Sequence, residues 1–200
     1  MNLSLKKRGI MDILRHFTTI TRHKAEVMKN CFRAGLYLQG VTHDLSKYEP
    51  AEFLRGVKYY QGNKSPNDAE RRETGVSKAW LHHKGRNKHH FEYWIDYDPA
   101  IGGKMGGLEM PLNFLLEMVC DRIAASKIYL KDKYKDSSPL EYYNHSKGKG
   151  YMNPKTERQL VKLLTILADE GEEELFKYMR KLVEVQKRKN LSKLRRKLLK

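Results

Sequence analysis

The stretch PLNFLLEMVCDRIAASKIYL, residues 111–130, decides the class of the fold. Phe114, Met118, Ala125 and Ile128 recur at the three- and four-residue spacing of one helix face, and Asp121 falls on the same stripe. A carboxylate on an apolar helix face is costly unless it is paired, hydrogen-bonded or bound to a metal. The segment therefore predicts a buried helix that carries an acid with a specific partner.

Two further segments place a histidine on the inner face of a predicted helix. Residues 21–39 carry His23 on one stripe with apolar residues. In residues 68–83 the helical phase favours His83 over His82 as the inward-facing member of its doublet. We therefore expect His23 and His83 to point into the core.

Glycine and proline mark the ends of the predicted elements. Gly40 is predicted to end the first of these helices, and Asn153-Pro154 begins a helix over residues 152–171 that is followed by a last helix over 172–189. Residues 97–108 contain one proline and four glycines and predict a mobile loop. No segment of useful length alternates with the period of a strand, so the predicted class is all-α.

Histidines and aspartates are spread along the chain in the order H, HD, HH, HH, D. Imidazole nitrogens and carboxylate oxygens are the ligands that hold Zn, Mn, Fe, Co or Ni, and no cysteine lies among them. This inventory favours a catalytic metal over a structural zinc site. The members are His23, His43, Asp44, His82, His83, His89, His90 and Asp121.

Three strings within this array carry a family resemblance. They are THDLSK at residues 42–47, AWLHHKGRNKHHFEYW at 79–94, and MP at 110–111 followed by EMVCD at 117–121. Their order resembles the HD superfamily of metal-dependent phosphohydrolases and, within it, the DUF5662 family of bacterial and phage proteins. The resemblance covers roughly residues 15 to 170.

The resemblance implies an HD-domain-like helical bundle with one or two divalent transition metal ions. Asp44 bridges the two ions if a second site exists, and the second site draws on His83 and on His89 or His90. The implied reaction is the hydrolysis of a nucleotide or another small phosphate ester by a metal-activated water. The implied ligands of the first ion are His23, His43, Asp44 and Asp121.

Three other residues near these ligands have two interpretations each. Glu117, one turn before Asp121, either orients a ligand or moves a proton, or it forms a salt bridge with a basic neighbour. Lys47 and Arg122 either bind substrate phosphate or lie near the ligands by chance, because the chain has 40 Lys and Arg residues. His82 is the doublet member that we expect to be no ligand.

Two other classes of function compete with phosphate ester hydrolysis. Some HD-fold proteins hold two irons with the same six-ligand inventory and activate oxygen. Alternatively, the chain is a non-catalytic helical module whose basic tail binds nucleic acid or a host protein. Metal content, phosphate release and a mixed-valent iron signal distinguish these alternatives.

Composition predicts one domain followed by a basic tail. Two hundred residues at 40% hydrophobic content suffice for one compact core. The net charge is +16, and residues 177–200 hold eleven Lys or Arg and one Glu, which gives +10. We therefore divide the chain into a helical domain, 1–176, and a basic helical tail, 177–200. The tail either binds nucleic acid or another polyanion, or is a solvated terminus.

The remaining features concern location. Cys31 and Cys120 each lie in an apolar helical pattern, which favours reduced core thiols. Charged residues interrupt the first twenty positions, so no signal-peptide core or membrane span is expected. We expect a cytoplasmic protein that acts on a small phosphorylated substrate. The sequence does not indicate its oligomeric state.

Overall fold

A computed structural model describes residues 3–62, 64–146 and 151–198. The all-α prediction is confirmed, since eight α-helices and a single two-stranded sheet make up the described elements. The helices are α1 (Leu3–Arg33), α2 (Tyr37–Thr42), α3 (Pro50–Lys58), α4 (Pro66–Thr74), α5 (Lys78–Lys84), α6 (Leu112–Leu130), α7 (Ser138–Ser146) and α8 (Pro154–Leu198), and the strands are β1 (Ile95–Asp98) and β2 (Lys104–Gly107). Short 3-10 helices cover Leu45–Tyr48, Phe91–Trp94, Pro99–Ile101 and Lys131–Lys133.

Helix α6 lies at the centre of the bundle. It packs against α1, α2, α7 and α8, and apolar side chains on nearly all its sides are buried, including Leu115, Val119 and Ile123. The predicted helix over 111–130 is therefore confirmed. More of its surface is buried than the single apolar face that the sequence pattern indicated. The core continues into α8 through Leu160, Leu164, Leu167, Leu175, Phe176 and Met179.

Two glycines in left-handed conformation break helices where the sequence predicted continuity. Helix α1 ends before Gly35, whose φ is +79°, so the predicted helix end at Gly40 was wrong. Gly40 lies inside α2 instead, where a Cβ atom would come within 3.0 Å of Cys31 and Phe32. Likewise Gly75, with φ +77°, ends α4, and Ser77 caps α5 by accepting from the Trp80 amide, so residues 68–83 form two helices.

The predicted mobile loop over residues 97–108 was also wrong. Strands β1 and β2 pair antiparallel from Ile95 with Gly107 to Asp98 with Lys104. Gly107 approaches the backbone near Met152 so closely that a Cβ atom would lie 2.3 Å from the Tyr151 carbonyl oxygen. Both strands have only four residues, and β2 ends in two glycines, so the sequence carries too short a pattern to indicate a strand pair.

The carboxyl-terminal helices were predicted correctly. Helix α8 consists of two helical segments that meet at Gly171, where φ is +85° and ψ is 176°. Met179 and Val183 of the second segment are buried, whereas every described side chain from Glu184 to Lys197 is exposed. The division of the chain at residue 176 stays a prediction, and Val183 is the last buried residue of the basic stretch that the structure describes.

Both cysteines lie in the interface between α1 and α6. They are free and fully buried, which confirms the prediction of reduced core thiols. Burial, together with a hydrogen bond to the Cys31 thiol, raises the pKa of Cys120 well above its usual value. Across the described residues, we find no helix with the length and apolar character of a membrane span.

Candidate metal centre

Four separate segments bring the predicted ligands together. His23 projects from the middle of α1, and Asp121 from α6, which packs directly against it. His43 and Asp44 follow α2, and Asp44 has a left-handed backbone with φ 52° and ψ 30°. The fourth segment is α5 with the turn after it, which supplies His83, His89 and His90.

Asn87 fixes the turn that carries the second histidine doublet. Its side-chain amide donates to the Ser46 hydroxyl at 2.8 Å and to the His83 carbonyl at 2.9 Å. Both members of the doublet, His89 and His90, consequently face the same cluster as His83.

The first group of ligand atoms joins α1, α6 and the HD dyad. His23 Nε2 lies 2.9 Å from Asp121 Oδ1. His43 Nε2 lies 3.2 Å from Asp44 Oδ2 and 3.6 Å from Asp121 Oδ1. One nitrogen or oxygen from each of the four residues lies within 4.8 Å of the others, which is a suitable spacing for one shared ion.

The second group uses the other oxygen of Asp44. Asp44 Oδ1 lies 3.4 Å from His83 Nε2 and 3.4 Å from His89 Nε2. His90 Nε2 completes the group at 2.8 Å from His83 Nε2. The two carboxylate oxygens of Asp44 thus face two different clusters, which is the geometry of a bridging ligand.

Hydrogen-bonding capacity left unused in these clusters fits a metal. Six buried side-chain nitrogen or oxygen atoms of the described residues lack a hydrogen-bond partner, and four of them belong here. Buried polar atoms normally have partners, so this concentration of unpaired atoms fits a site that binds an ion. The four are His23 Nε2, His43 Nε2, Asp44 Oδ1 and His89 Nε2.

Two buried glutamates orient the histidine rings by hydrogen bonds to Nδ1, the nitrogen that faces away from the clusters. Glu117 Oε1 accepts from His43 Nδ1 at 2.9 Å and lies 3.2 Å from His89 Nδ1. Glu52 does the same for His83, whose Nδ1 lies 2.9 Å from its Oε2. With the proton held on Nδ1, each ring presents the lone pair of Nε2 to the cluster, as metal-bound histidines do.

The placement of Glu117 favours the orienting interpretation that the sequence left open. Its carboxylate contacts imidazoles rather than a Lys or Arg side chain. A third grouping, of Glu117 with His43 and His89, also has metal-ligand spacing. Because that grouping uses the Nδ1 atoms, we assign Glu117 as a hydrogen-bond acceptor and not as a ligand.

Glu52 was missed by the sequence reasoning. It lies in the first turn of α3, after Pro50, and is buried. Its other oxygen accepts from His82 Nδ1 at 2.7 Å, which holds His82 outside the ligand clusters. No local pattern marks this residue, because its contacts with α5 arise only in the folded chain.

The charge balance of the centre is set by close pairs. Burial alone would raise the pKa of Asp44, but His43 and Lys47 hold it well below its usual value. Burial likewise opposes a charged imidazole at His43, yet the charge of Asp44 and the contacts with Asp121 and Glu117 raise its pKa well above the usual value.

Lys47 and Arg122 occupy different surroundings. Lys47 Nζ lies 2.6 Å from Asp44 Oδ2, and 30% of its side chain is exposed, so it borders both the ligands and solvent. Arg122 lies over the ring of Tyr143 on α7, at 5.8 Å from the ring centre. Phosphate binding by either residue stays a prediction, and the geometry favours Lys47.

The candidate metal centre lies within the range of one family match. A family model described as "Family of unknown function (DUF5662)" matches residues 12–166. The chain belongs to the DUF5662 family. All seven predicted metal ligands of this DUF5662 protein lie within the matched residues, whereas the exposed basic part of α8 lies outside them. No curated protein and no solved structure matches the chain.

We expect the two histidines of the first doublet to respond differently to substitution. In this DUF5662 protein, His83→Ala should reduce the metal content from about two ions to about one per chain, because His83 faces Asp44 Oδ1. His82→Ala should leave the content nearly unchanged, since His82 contacts only Glu49 and Glu52 among acidic residues of the described chain. Elemental analysis after dialysis gives the result, and equal losses in both variants would contradict the second cluster.

Proposed function

We propose that the protein is an HD-type metal-dependent phosphohydrolase that acts on a nucleotide or another small phosphate ester. The observation that carries this proposal is the orientation of Asp44, whose two oxygens face two separate ligand clusters. The clusters differ in composition, with two histidines and a second aspartate on one side and three histidines on the other. Such paired nitrogen and oxygen sites suit Mn, Fe, Co, Ni or Zn.

A bound pair of ions supplies Lewis acidity and lowers the pKa of a coordinated water. The protein's own contribution begins with Glu117 and Glu52, which keep Nδ1 of three histidines protonated and direct Nε2 toward the clusters. The side chain of Asp121 is 18% exposed, so the first cluster is not sealed from solvent. A substrate can therefore reach it from the side of Asp121.

Lys47 is the residue best placed to bind the substrate's phosphoryl group. Burial opposes its charge, but Asp44 and Asp121 raise its pKa, so its ammonium stays protonated at neutral pH. Its partial exposure leaves donors for an incoming anion in addition to the contact with Asp44. We assign it the role of neutralising a phosphoryl oxygen as charge develops there.

The proposal is tested by metal analysis of the native protein together with a screen of phosphate esters. We expect bound transition metal and release of inorganic phosphate that chelation abolishes and metal restores. His43→Ala should reduce the metal content toward one ion and abolish phosphate release, whereas His145→Ala, an exposed position outside the clusters, should change neither. Metal-loaded protein that releases no phosphate from nucleotides, small monoesters or diesters contradicts the proposed reaction.

A second candidate function uses the same ligands for redox chemistry. Two irons bridged by a carboxylate and held by histidines are suited to oxygen activation, and the arrangement around Asp44 would hold such a pair. A mixed-valent electron paramagnetic resonance signal, together with iron as the native metal and no phosphate release, would favour this candidate.

The basic end of α8 is proposed to bind polyanions independently of the metal centre. Removing the residues after Glu184 deletes eight Lys or Arg residues and leaves the buried Met179 and Val183 in place. Nucleic-acid binding measured by fluorescence anisotropy should then be lost together with its salt dependence, because counterion release follows the phosphates neutralised. Metal content and turnover should persist. Undiminished nucleic-acid binding by the shortened chain, or loss of its metal, contradicts a separate binding role.

A further inference from the structure

A small cavity lies next to the second ligand cluster. It has a volume of about 100 Å³ and is bounded by α1, α3, α5 and the start of α4. Three of its lining residues belong to the metal centre. They are His83, Glu52, which hydrogen-bonds to His83, and Lys47, which pairs with Asp44. A molecule whose phosphoryl group contacts Lys47 would therefore place a neighbouring atom in this cavity.

His16 is a polar group of the cavity wall that the metal centre does not use. It is only 6% exposed and packs between Phe53 and Tyr60, with ring centres 5.3 Å and 5.9 Å away. The ring lines the cavity, and neither of its nitrogens is among the fully enclosed atoms that lack a hydrogen-bond partner. The nitrogens are therefore open to the cavity and available to a ligand there.

The position of His16 depends on a glycine in the facing helix. A Cβ atom at Gly56 of α3 would lie 2.2 Å from His16 Nε2, so any other residue would displace the ring. Glycine inside a helix costs about 1 kcal/mol relative to alanine. Gly56 thus lowers the stability of α3 slightly and leaves the space that the His16 ring occupies.

His16 is neutral at neutral pH. Burial and the nearby charge of Lys47 lower its pKa to about 4. A neutral imidazole offers one N–H donor and one acceptor nitrogen, which suits a hydroxyl group and disfavours a second anion or cation.

We propose that this cavity is the subsite for the group esterified to the substrate's phosphate, and that it selects a compact hydroxyl-bearing group through a hydrogen bond to His16. The inference rests on the proposed phosphohydrolase function. Pockets that enclose drug-sized ligands have volumes of roughly 300–1,000 Å³. At about 100 Å³ the cavity encloses a few non-hydrogen atoms and is too small to enclose a nucleoside. Among the substrates of the proposed function, small monoesters are therefore favoured over nucleotides.

Non-hydrolysable phosphonates test the subsite by binding alone. Titration calorimetry on the metal-loaded full chain would compare methylphosphonate, 2-hydroxyethylphosphonate and a nucleoside 5′-phosphonate. We expect 2-hydroxyethylphosphonate to bind about tenfold more tightly than methylphosphonate, as one added hydrogen bond allows. The nucleoside phosphonate should bind no more tightly than methylphosphonate.

Substitution of His16 should remove this preference and leave the metal in place. His16→Phe preserves packing against Phe53 and Tyr60 but should bring the two small phosphonates to equal affinity. His16→Gln, which restores a donor and an acceptor, should recover part of the difference and serves if the Phe variant fails to fold. His145→Phe is the matched control and should keep the tenfold preference, because His145 is exposed and does not line the cavity.

The outcomes separate the subsite from the proposed function. Phosphonate binding with the same preference in wild type and in both His16 variants overturns the subsite, as does tightest binding of the nucleoside phosphonate. Metal-loaded protein that binds no phosphonate and releases no phosphate overturns the proposed function and the subsite with it.

Discussion

Asp44→Asn is expected to remove both metal ions, whereas removal of any other single ligand should affect mainly one. Each oxygen of Asp44 faces one cluster, so a neutral amide weakens both sites at once. Asparagine is the appropriate replacement, because residue 44 has φ 52° and Asn tolerates the left-handed region better than Ala. We expect the affinity for each ion to fall at least about 100-fold, as found when metal ligands or their supports are lost. Elemental analysis after dialysis against buffer measures the loss.

Two companion variants make this result specific. Asp121→Asn should reduce the content only toward one ion, because Asp121 belongs to the first cluster alone. Glu184→Gln removes one negative charge from an exposed position of α8 and should have no effect. If Asp44→Asn retains two ions, Asp44 does not bridge, and the two-cluster site as described is wrong.

Metal removal is expected to lower the melting temperature by about 10 °C. An ion at a thousand times its dissociation constant stabilises the folded state by about 4 kcal/mol. For a chain of about 200 residues, each kcal/mol corresponds to about 2–4 °C. The ligands come from positions 23 to 121, so the ions join α1, α5 and α6, and an unfolded chain cannot reproduce their arrangement. Differential scanning calorimetry with and without a chelator measures the shift.

The Asp44→Asn variant is also the control for this stability effect. Its melting temperature should hardly respond to chelator, since it has little metal to lose. A wild-type protein whose melting temperature is the same with and without chelator, despite confirmed loss of metal, would show that the ions do not contribute to the folded state.

The sequence predicted the helical class well because long helices carry a periodic signal. The pattern over residues 111–130 located α6, and Asn153-Pro154 located the start of α8. Breaks within helical stretches were harder to place. Gly35 and Gly75 both stop helices by adopting positive φ, yet nothing local distinguishes them from Gly40, which stays helical.

In the candidate site, too, the sequence predicted what depends on helical periodicity and not what depends on contacts between segments. Helical phase placed His23, His83 and Asp121 on buried faces. Helical periodicity could not indicate which way His89 and His90 face. Their orientation depends on the side-chain hydrogen bonds of Asn87 to another segment. Their roles as ligands stay predictions that the metal measurements decide.

The sequence did not predict the roles of Glu52 and His16, because both depend on contacts between distant segments. Glu52 contacts a histidine thirty-one positions away, and the space around His16 is created by Gly56 of a different helix. Contacts of this kind have no periodic signature. They are settled by helix packing, which composition and spacing do not specify.

The paired thiols of Cys31 and Cys120 provide an intrinsic reporter of local opening. Only a thiolate reacts readily with an alkylating reagent, and these two groups are fully buried. Alkylation in native buffer must therefore wait until α1 and α6 separate, so its rate measures the free energy of that opening. His23 and Asp121 lie on the same two helices, with Asp121 next to Cys120 in the sequence and His23 about two turns before Cys31. The rate of labelling thus measures how firmly the two sides of the first cluster are held together, in the unsubstituted chain.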